Sequence, residues 1–142
     1  MKIDGSRRQD RATELLLSYH AAFNRADWDA VLALLTDDVV HDLEHGVREI
    51  GRDAFADHLE CMQRSRSEQL RDVVVLVALD GDRAAAEYTV HGHPHRIDEG
   101  VPTVNGLAYV LHGGAFFEVR EDRIARVTSY CNREAGLTQV SD

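Results

Sequence analysis

The sequence has 142 residues, about the length of one domain, and its 25 acidic residues outnumber 16 basic ones, giving a formal net charge of −9. This balance argues against nucleic-acid binding, which needs a basic surface, and against docking on anionic lipid. No apolar segment approaches the roughly 20 residues of a membrane span, and two cysteines are too few for a disulfide framework. We therefore expect a reduced, cytoplasmic single domain over residues 7–142, after a flexible segment at 1–6.

Three helices are predicted in the first half of the chain. Apolar residues at helical spacing predict the first helix over 8–24, with Asn24 as a left-handed C-terminal residue. Asp27 is placed to cap a second helix that runs through Thr36, and a short strand is expected at 39–42. A hairpin edge or loop over 46–51 leads into a third helix over 52–64.

Four strands are predicted after these helices. The continuous apolar run over 70–79 predicts a strand that is covered on both faces, and the turn signal at 80–82 leads to a returning strand over 83–93. After a polar loop, strands are expected over 105–120 and 123–131, with a bulge or sharp bend at Gly113 and Gly114. Helices grouped before antiparallel strands indicate an α+β fold.

Four segments carry a resemblance to a known superfamily: YHAAFNRADW at 19–28, LLTDDVVHD at 34–42, the stretch from Gly46 to Phe55, and GAFFEV at 114–119 with RIARV at 123–127. Together they resemble the nuclear transport factor 2-like superfamily, and within it the SnoaL-like polyketide cyclases and ketosteroid-isomerase-related proteins. The resemblance implies a cone-shaped fold, in which three N-terminal helices pack against a strongly bent, mixed and mostly antiparallel β-sheet that encloses an apolar pocket. Because members of this superfamily are often dimers, we expect a homodimer.

Tyr19, His41 and Asp42 are the candidate catalytic residues. Tyr19 lies on the apolar face of the first helix, and the resemblance implies that its hydroxyl donates a hydrogen bond to a developing enolate. Asp42 closes the first strand, where the isomerases carry their general base, but a slip of one residue would turn His41 inward instead. Either side chain suits proton abstraction, and the sequence leaves the choice between them open.

One position departs from the steroid isomerases. Aligning Phe116 to Val119 with the matching strand of that family puts Ala115 where those enzymes carry a protonated acid. Half of their oxyanion hole would then be missing. Classical steroid isomerase activity is therefore not expected.

Five further residues are candidates for substrate binding. His91 could act as a neutral hydrogen-bonding group, although its alternation with His93 also leaves metal binding as a less favoured alternative. Tyr130 and Asn132 share one face of the last strand and suit the pocket mouth, where Tyr109 would join them. Trp28 is most simply a helix anchor under the sheet, and we include it as a possible ligand contact.

These residues predict proton-transfer chemistry, either isomerisation or aldol-type cyclisation, on a small apolar molecule that contains a carbonyl group. No organic cofactor is expected, because the sequence has neither a G-x-G-x-x-G nor a Walker pattern. The alternative is a non-catalytic domain that binds a ligand, or serves as an adaptor, through the same cavity. Hydrolysis as in the limonene epoxide hydrolases ranks lower, because no inward Asp-Arg-Asp arrangement is evident on the late strands.

Overall fold

The computed structural model describes residues 2–95 and 108–132. Its helices are α1 (Lys2–Asn24), α2 (Trp28–Ala33) and α3 (Arg52–Ser65), and a 3-10 turn lies at Glu44–Gly46. Its strands are β1 (Leu35–Asp42), β2 (Arg48–Ile50), β3 (Arg66–Val77), β4 (Arg83–Pro94), β5 (Tyr109–Arg120) and β6 (Arg123–Asn132). None of the helices in these two ranges is long and apolar enough to cross a membrane.

The six strands form one curved, open sheet in the order β2-β1-β6-β5-β4-β3. Strands β3 to β6 form an antiparallel meander, β1 pairs with β6 in parallel, and β2 pairs with β1 antiparallel. The three helices pack against this sheet, which confirms the predicted α+β cone fold. The core lies between helices and sheet, and its largest fully buried side chains are Leu16, Val31, Leu35, Val39, Phe55, Phe117, Ile124 and Val127.

The connection from α2 to β1 differs from its prediction. Asp27 does cap α2, since its carboxylate accepts a hydrogen bond from the Ala30 N–H at 3.2 Å. However, α2 ends at Ala33, and β1 begins at Leu35 rather than Val39. Leu35 pairs with Ile124 on β6, so tertiary strand pairing overrides the helical apolar spacing of this segment.

The first helix also differs at both ends. It begins at Lys2, earlier than the apolar spacing predicts, because polar residues can extend a helix without contributing to its buried face. The left-handed residue after the helix is Ala26, with φ of 55°, and not Asn24. The Asn24 amide instead donates to Leu70 O at 2.9 Å and accepts from Leu70 N at 2.8 Å, which fixes the end of α1 to β3.

The prediction that the β3 segment is covered on both faces is wrong for the isolated chain. Val74 and Leu76 are exposed, whereas Val73, Val75 and Val77 pack against the core. Helix α1 covers only the concave face of β3, so the convex face of the sheet lies open at these side chains.

The glycine pair on β5 does not form a bulge, which is one of the two alternatives predicted there, the other being a sharp bend. Pairing with β4 is continuous through Gly113 and Gly114, and the irregularity lies between Glu118 and Val119. A Cβ atom at Gly114 would lie 2.7 Å from the backbone oxygen of Ala86. The glycine is therefore required for close approach of two backbones rather than for an extra residue.

Candidate functional site

A cavity of about 320 Å³ lies between the helices and the concave face of the sheet. Apolar side chains such as Phe23, Leu59, Met62 and Phe117 form much of its wall. Its polar and ionisable lining residues are Tyr19, His20, His41, Glu44, His58, Arg66, Glu68, Tyr88, Ser129 and Cys131. A concave cavity that combines apolar walls with polar groups is the usual form of a small-molecule site.

His41 projects from β1 into this cavity, beside its parallel partner Val127. Its side chain is buried, with 6% exposure. The ring stacks on Phe55 at a centroid distance of 4.3 Å and meets His58 edge-on at 4.9 Å. Burial, together with the nearby His58, lowers the pKa of His41 to about 4, so the imidazole is neutral at pH 7. Nδ1 is buried without a hydrogen-bond partner among the described residues.

The lowered pKa of His41 predicts a loss of stability in mild acid. Because the unfolded state binds the proton more readily, stability falls as the pH drops from about 6.5 towards 4. Between pH 7 and pH 5 this residue alone contributes a loss of about 2 kcal/mol. We expect urea unfolding of H41F to show a loss of stability between pH 7 and pH 5 that is about 2 kcal/mol smaller than the loss in the wild type. This variant retains an aromatic ring against Phe55. H112Q, a substitution at an exposed position of β5, serves as the control and should leave the stability at pH 7 close to that of the wild type. Equal pH dependence in wild type and H41F would contradict the assignment.

Asp42 lies on the opposite face of β1 from His41. Its two oxygens accept hydrogen bonds from Nε and Nη2 of Arg48 at 2.6 and 3.0 Å, and one of them also accepts from the Thr128 hydroxyl at 2.8 Å. The Arg48 hydrogen bonds, assisted by Thr128, lower the pKa of Asp42 to about 2. A carboxylate so strongly stabilised is a poor base, and it lines a separate, more open depression on the convex side.

Tyr19 lies on the buried face of α1 and lines the same cavity as His41. Its ring packs edge-on against Phe117 at 5.7 Å and against His20 at 5.2 Å. Burial raises the pKa of the Tyr19 phenol above its usual value, so the hydroxyl keeps its proton. No group in the described part of the chain forms a hydrogen bond with it, so the hydroxyl remains available as a donor to a ligand.

His20 and His58 are cavity residues that the sequence analysis does not identify. His20 follows Leu16 by four residues, and His58 follows Phe55 by three, so each lies next to a buried position on its helix. That spacing was the available signal, although it does not distinguish a cavity histidine from one at the edge of the core. Burial lowers the pKa of both imidazoles.

Arg66 and Glu68 form a charged pair at the cavity wall. Arg66 Nε donates to Glu68 Oε2 at 3.0 Å, and the Tyr109 hydroxyl donates to the same oxygen at 2.5 Å. Tyr109 therefore contacts a cavity residue, although it is not itself among the lining side chains. Its ring covers Gly92, where a Cβ atom would lie 2.0 Å from the tyrosine ring.

The other predicted binding residues lie away from the cavity. His91 projects from the convex face of β4, opposite the buried Val90 and Gly92. Tyr130 is also convex, is 57% exposed and packs edge-on against Phe116. Asn132 shares its face at the exposed end of β6.

Trp28 is a helix anchor. Its Nε1 donates to Gln63 Oε1 of α3 at 2.6 Å, and its ring packs on Phe23 at 5.7 Å. Within residues 2–95 and 108–132, no three or more His, Cys, Asp or Glu residues form a group that could hold a metal ion.

Ala115 does line the cavity, in agreement with the alignment of its strand. Its small side chain cannot donate a hydrogen bond, so Tyr19 has no acidic partner at this position. On the last strand the predicted alternation of faces is correct, and the cavity receives Ser129 and Cys131 rather than Tyr130 and Asn132.

Comparison with known proteins finds a matching family and similar solved structures. Residues 16–127 match the model of the SnoaL-like domain. A proposed polyketide cyclase from Xanthomonas campestris is 55% identical, with a TM-score of 0.86 over 94% of this chain and 99% of that one. A second proposed polyketide cyclase, from Pseudomonas putida, is 51% identical, with a TM-score of 0.83 over 92% of this chain and 98% of that one.

A more distant solved structure supports the fold alone. An epoxide hydrolase from M. tuberculosis that resembles limonene epoxide hydrolase is 20% identical, with a TM-score of 0.72 over 91% of this chain and 84% of that one. No protein of curated function matches the sequence. The comparisons thus establish the fold and the family.

Proposed function

Because this chain belongs to the SnoaL-like domain family, we propose that it is a small-molecule enzyme that catalyses acid–base proton transfer on an apolar carbonyl compound. The observation that carries this proposal is the convergence of a neutral His41 and a protonated Tyr19 on one apolar cavity. The two proposed polyketide cyclases, which are more than half identical to this chain, support the same class of chemistry.

His41 is the base in this mechanism. A ring nitrogen of His41 takes a proton from the carbon next to the substrate carbonyl, and the C–H bonding electrons move into an enolate. The protonated imidazole and the enolate form an ion pair in a site of low dielectric, which offsets the cost of charging a buried histidine. The stacked Phe55 and the edge-on His58 hold the ring in position during this transfer.

Tyr19 stabilises the negative charge that develops on oxygen. Its hydroxyl donates a hydrogen bond to the enolate oxygen, and that bond strengthens as the charge grows. In an isomerisation, protonated His41 returns the proton to a different carbon. In an aldol-type cyclisation, the enolate carbon forms a bond to a second carbonyl, and the proton passes to the new alkoxide. Either course moves only protons and electron pairs within the substrate, so it needs no redox cofactor.

Deuterium exchange tests this proposal without knowledge of the natural substrate. We expect the protein in D₂O to incorporate deuterium into 1-tetralone at the carbon beside the carbonyl, faster than buffer alone, as measured by NMR. Exchange at the buffer rate, with the cavity shown to be occupied, would contradict the enzyme proposal. That result would favour the alternative of a non-catalytic binding domain, which the absence of an acid at Ala115 supports.

We also propose that the protein is a homodimer whose subunits meet on the convex face of the sheet. That face exposes Val74, Leu76, Phe116 and Tyr130, and an exposed group of apolar side chains is typical of a protein interface. Such an interface would cover the second face of β3.

A further inference from the structure

One ring nitrogen of His20 forms a hydrogen bond within the protein, and the other does not. The residue lies on α1, is 3% exposed and lines the cavity. Its Nδ1 is 2.7 Å from the carbonyl oxygen of Leu16. A carbonyl oxygen can only accept, so Nδ1 must carry a hydrogen and donate it.

The second nitrogen, Nε2, is therefore an acceptor. Burial lowers the pKa of His20, so the ring is neutral near pH 7, and a neutral imidazole with its hydrogen on Nδ1 has a lone pair on Nε2. The ring also packs against three aromatic rings, those of Tyr19, Tyr88 and Phe117, at centroid distances of 5.2 to 5.8 Å. Among the described residues, the hydrogen bond to Leu16 is the only one that the His20 ring forms.

An acceptor at the cavity wall discriminates between ligands. A ketone oxygen placed against Nε2 would bring two lone pairs together, whereas an O–H group would satisfy the nitrogen. The adjacent Tyr19 offers the opposite function, since its hydroxyl donates. A hydroxyl oxygen can accept from a phenol and donate to an imidazole at the same time.

We propose that His20 is a specificity-determining residue that selects ligands with a hydroxyl group at this end of the cavity, such as a phenol, an enol or a hydroxylated carbonyl compound. The inference rests on the proposed function only in taking the same cavity as the ligand site, because recognition of the hydroxyl requires no turnover. It narrows the substrate class from apolar carbonyl compounds to those that also carry a hydroxyl or enolise readily.

A matched pair of ligands tests this selection. We expect the wild-type protein to bind 2-naphthol about tenfold or more tightly than 2-methoxynaphthalene, which keeps the oxygen but cannot donate, as measured by ligand fluorescence. H20F keeps an aromatic ring among its neighbours and should reduce the preference to less than about twofold. Y19F is the control: it should weaken both ligands and leave their ratio unchanged, because Tyr19 donates to either oxygen.

A second measurement needs no variant. In wild-type protein labelled with ¹⁵N-histidine, 2-naphthol should shift the Nε2 resonance of His20, and 2-methoxynaphthalene should leave it in place. A preference retained in H20F, no preference in the wild type, or an Nε2 resonance unmoved by the naphthol would each overturn the inference. Absence of deuterium exchange into 1-tetralone that is shown to occupy the cavity would count against the enzyme proposal and leave this selection standing.

Discussion

H41F is expected to slow deuterium exchange into 1-tetralone by about 10²–10⁴-fold, the usual contribution of a positioned general base. Phenylalanine preserves the stacking on Phe55 and removes both ring nitrogens, and with them the proposed base. The loss should appear in the rate at saturating ketone and much less in the concentration needed for saturation.

D42N is the comparison variant for this prediction. It changes the neighbouring residue of β1, whose carboxylate faces the convex side and bonds to Arg48 and Thr128. We expect its exchange rate to stay within about threefold of the wild type, since the side chain does not reach the cavity. A large loss in D42N with little loss in H41F would reverse the assignment of the base, provided that circular dichroism shows both variants to be folded.

Removal of the Tyr19 hydroxyl should have the next largest effect. Y19F is expected to reduce the exchange rate about 10²–10³-fold, which is typical of the loss of one donor to a developing oxyanion. The packing against Phe117 would survive, because only the oxygen is lost. The rate constant for exchange, measured by NMR at saturating 1-tetralone, reports this loss.

Y130F provides the control for Y19F. It removes the same atom from an exposed tyrosine on the convex face, and the exchange rate should be unchanged. An equal loss in Y130F would show that the convex face takes part in the reaction, and a fully active Y19F would remove Tyr19 from the mechanism.

The sequence predicts the elements that build the site more reliably than the faces that line it. Tyr19 is identified because the apolar positions around it recur at helical spacing, and its burial follows from that pattern. Along β6, the alternation of Ser129 and Cys131 with Tyr130 and Asn132 is equally clear. The alternation of residues along a strand indicates which side chains share a face of the sheet. It does not indicate which of the two faces is concave.

In the same way, the sequence does not determine whether His41 or Asp42 faces the cavity. The two residues are neighbours on one strand, so a single-residue shift exchanges them. Their placement depends on the parallel pairing of His41 with Val127, and on the Arg48 and Thr128 side chains that hold Asp42 outside. The contacts with Val127 and Thr128 join segments 86 residues apart in the chain, and no local pattern encodes them.

For a related reason, the sequence does not predict that the cavity is lined by His20, Arg66 and Glu68. In the sequence each of them resembles any other polar residue. It lines a cavity only because the curved sheet packs against the helices. The pair lies on β3 and receives the Tyr109 hydroxyl from β5, two strands that are not neighbours in the sheet. Only the fold brings these groups to one cavity.

The most direct test of the account is a crystal structure of the protein with 2-naphthol bound. The account predicts that the naphthol lies in the cavity between the helices and the concave face, with its oxygen in hydrogen-bond contact with the Tyr19 hydroxyl and its ring system near His41. A naphthol bound instead in the convex depression beside Asp42 and Tyr130, with the cavity vacant, would contradict it.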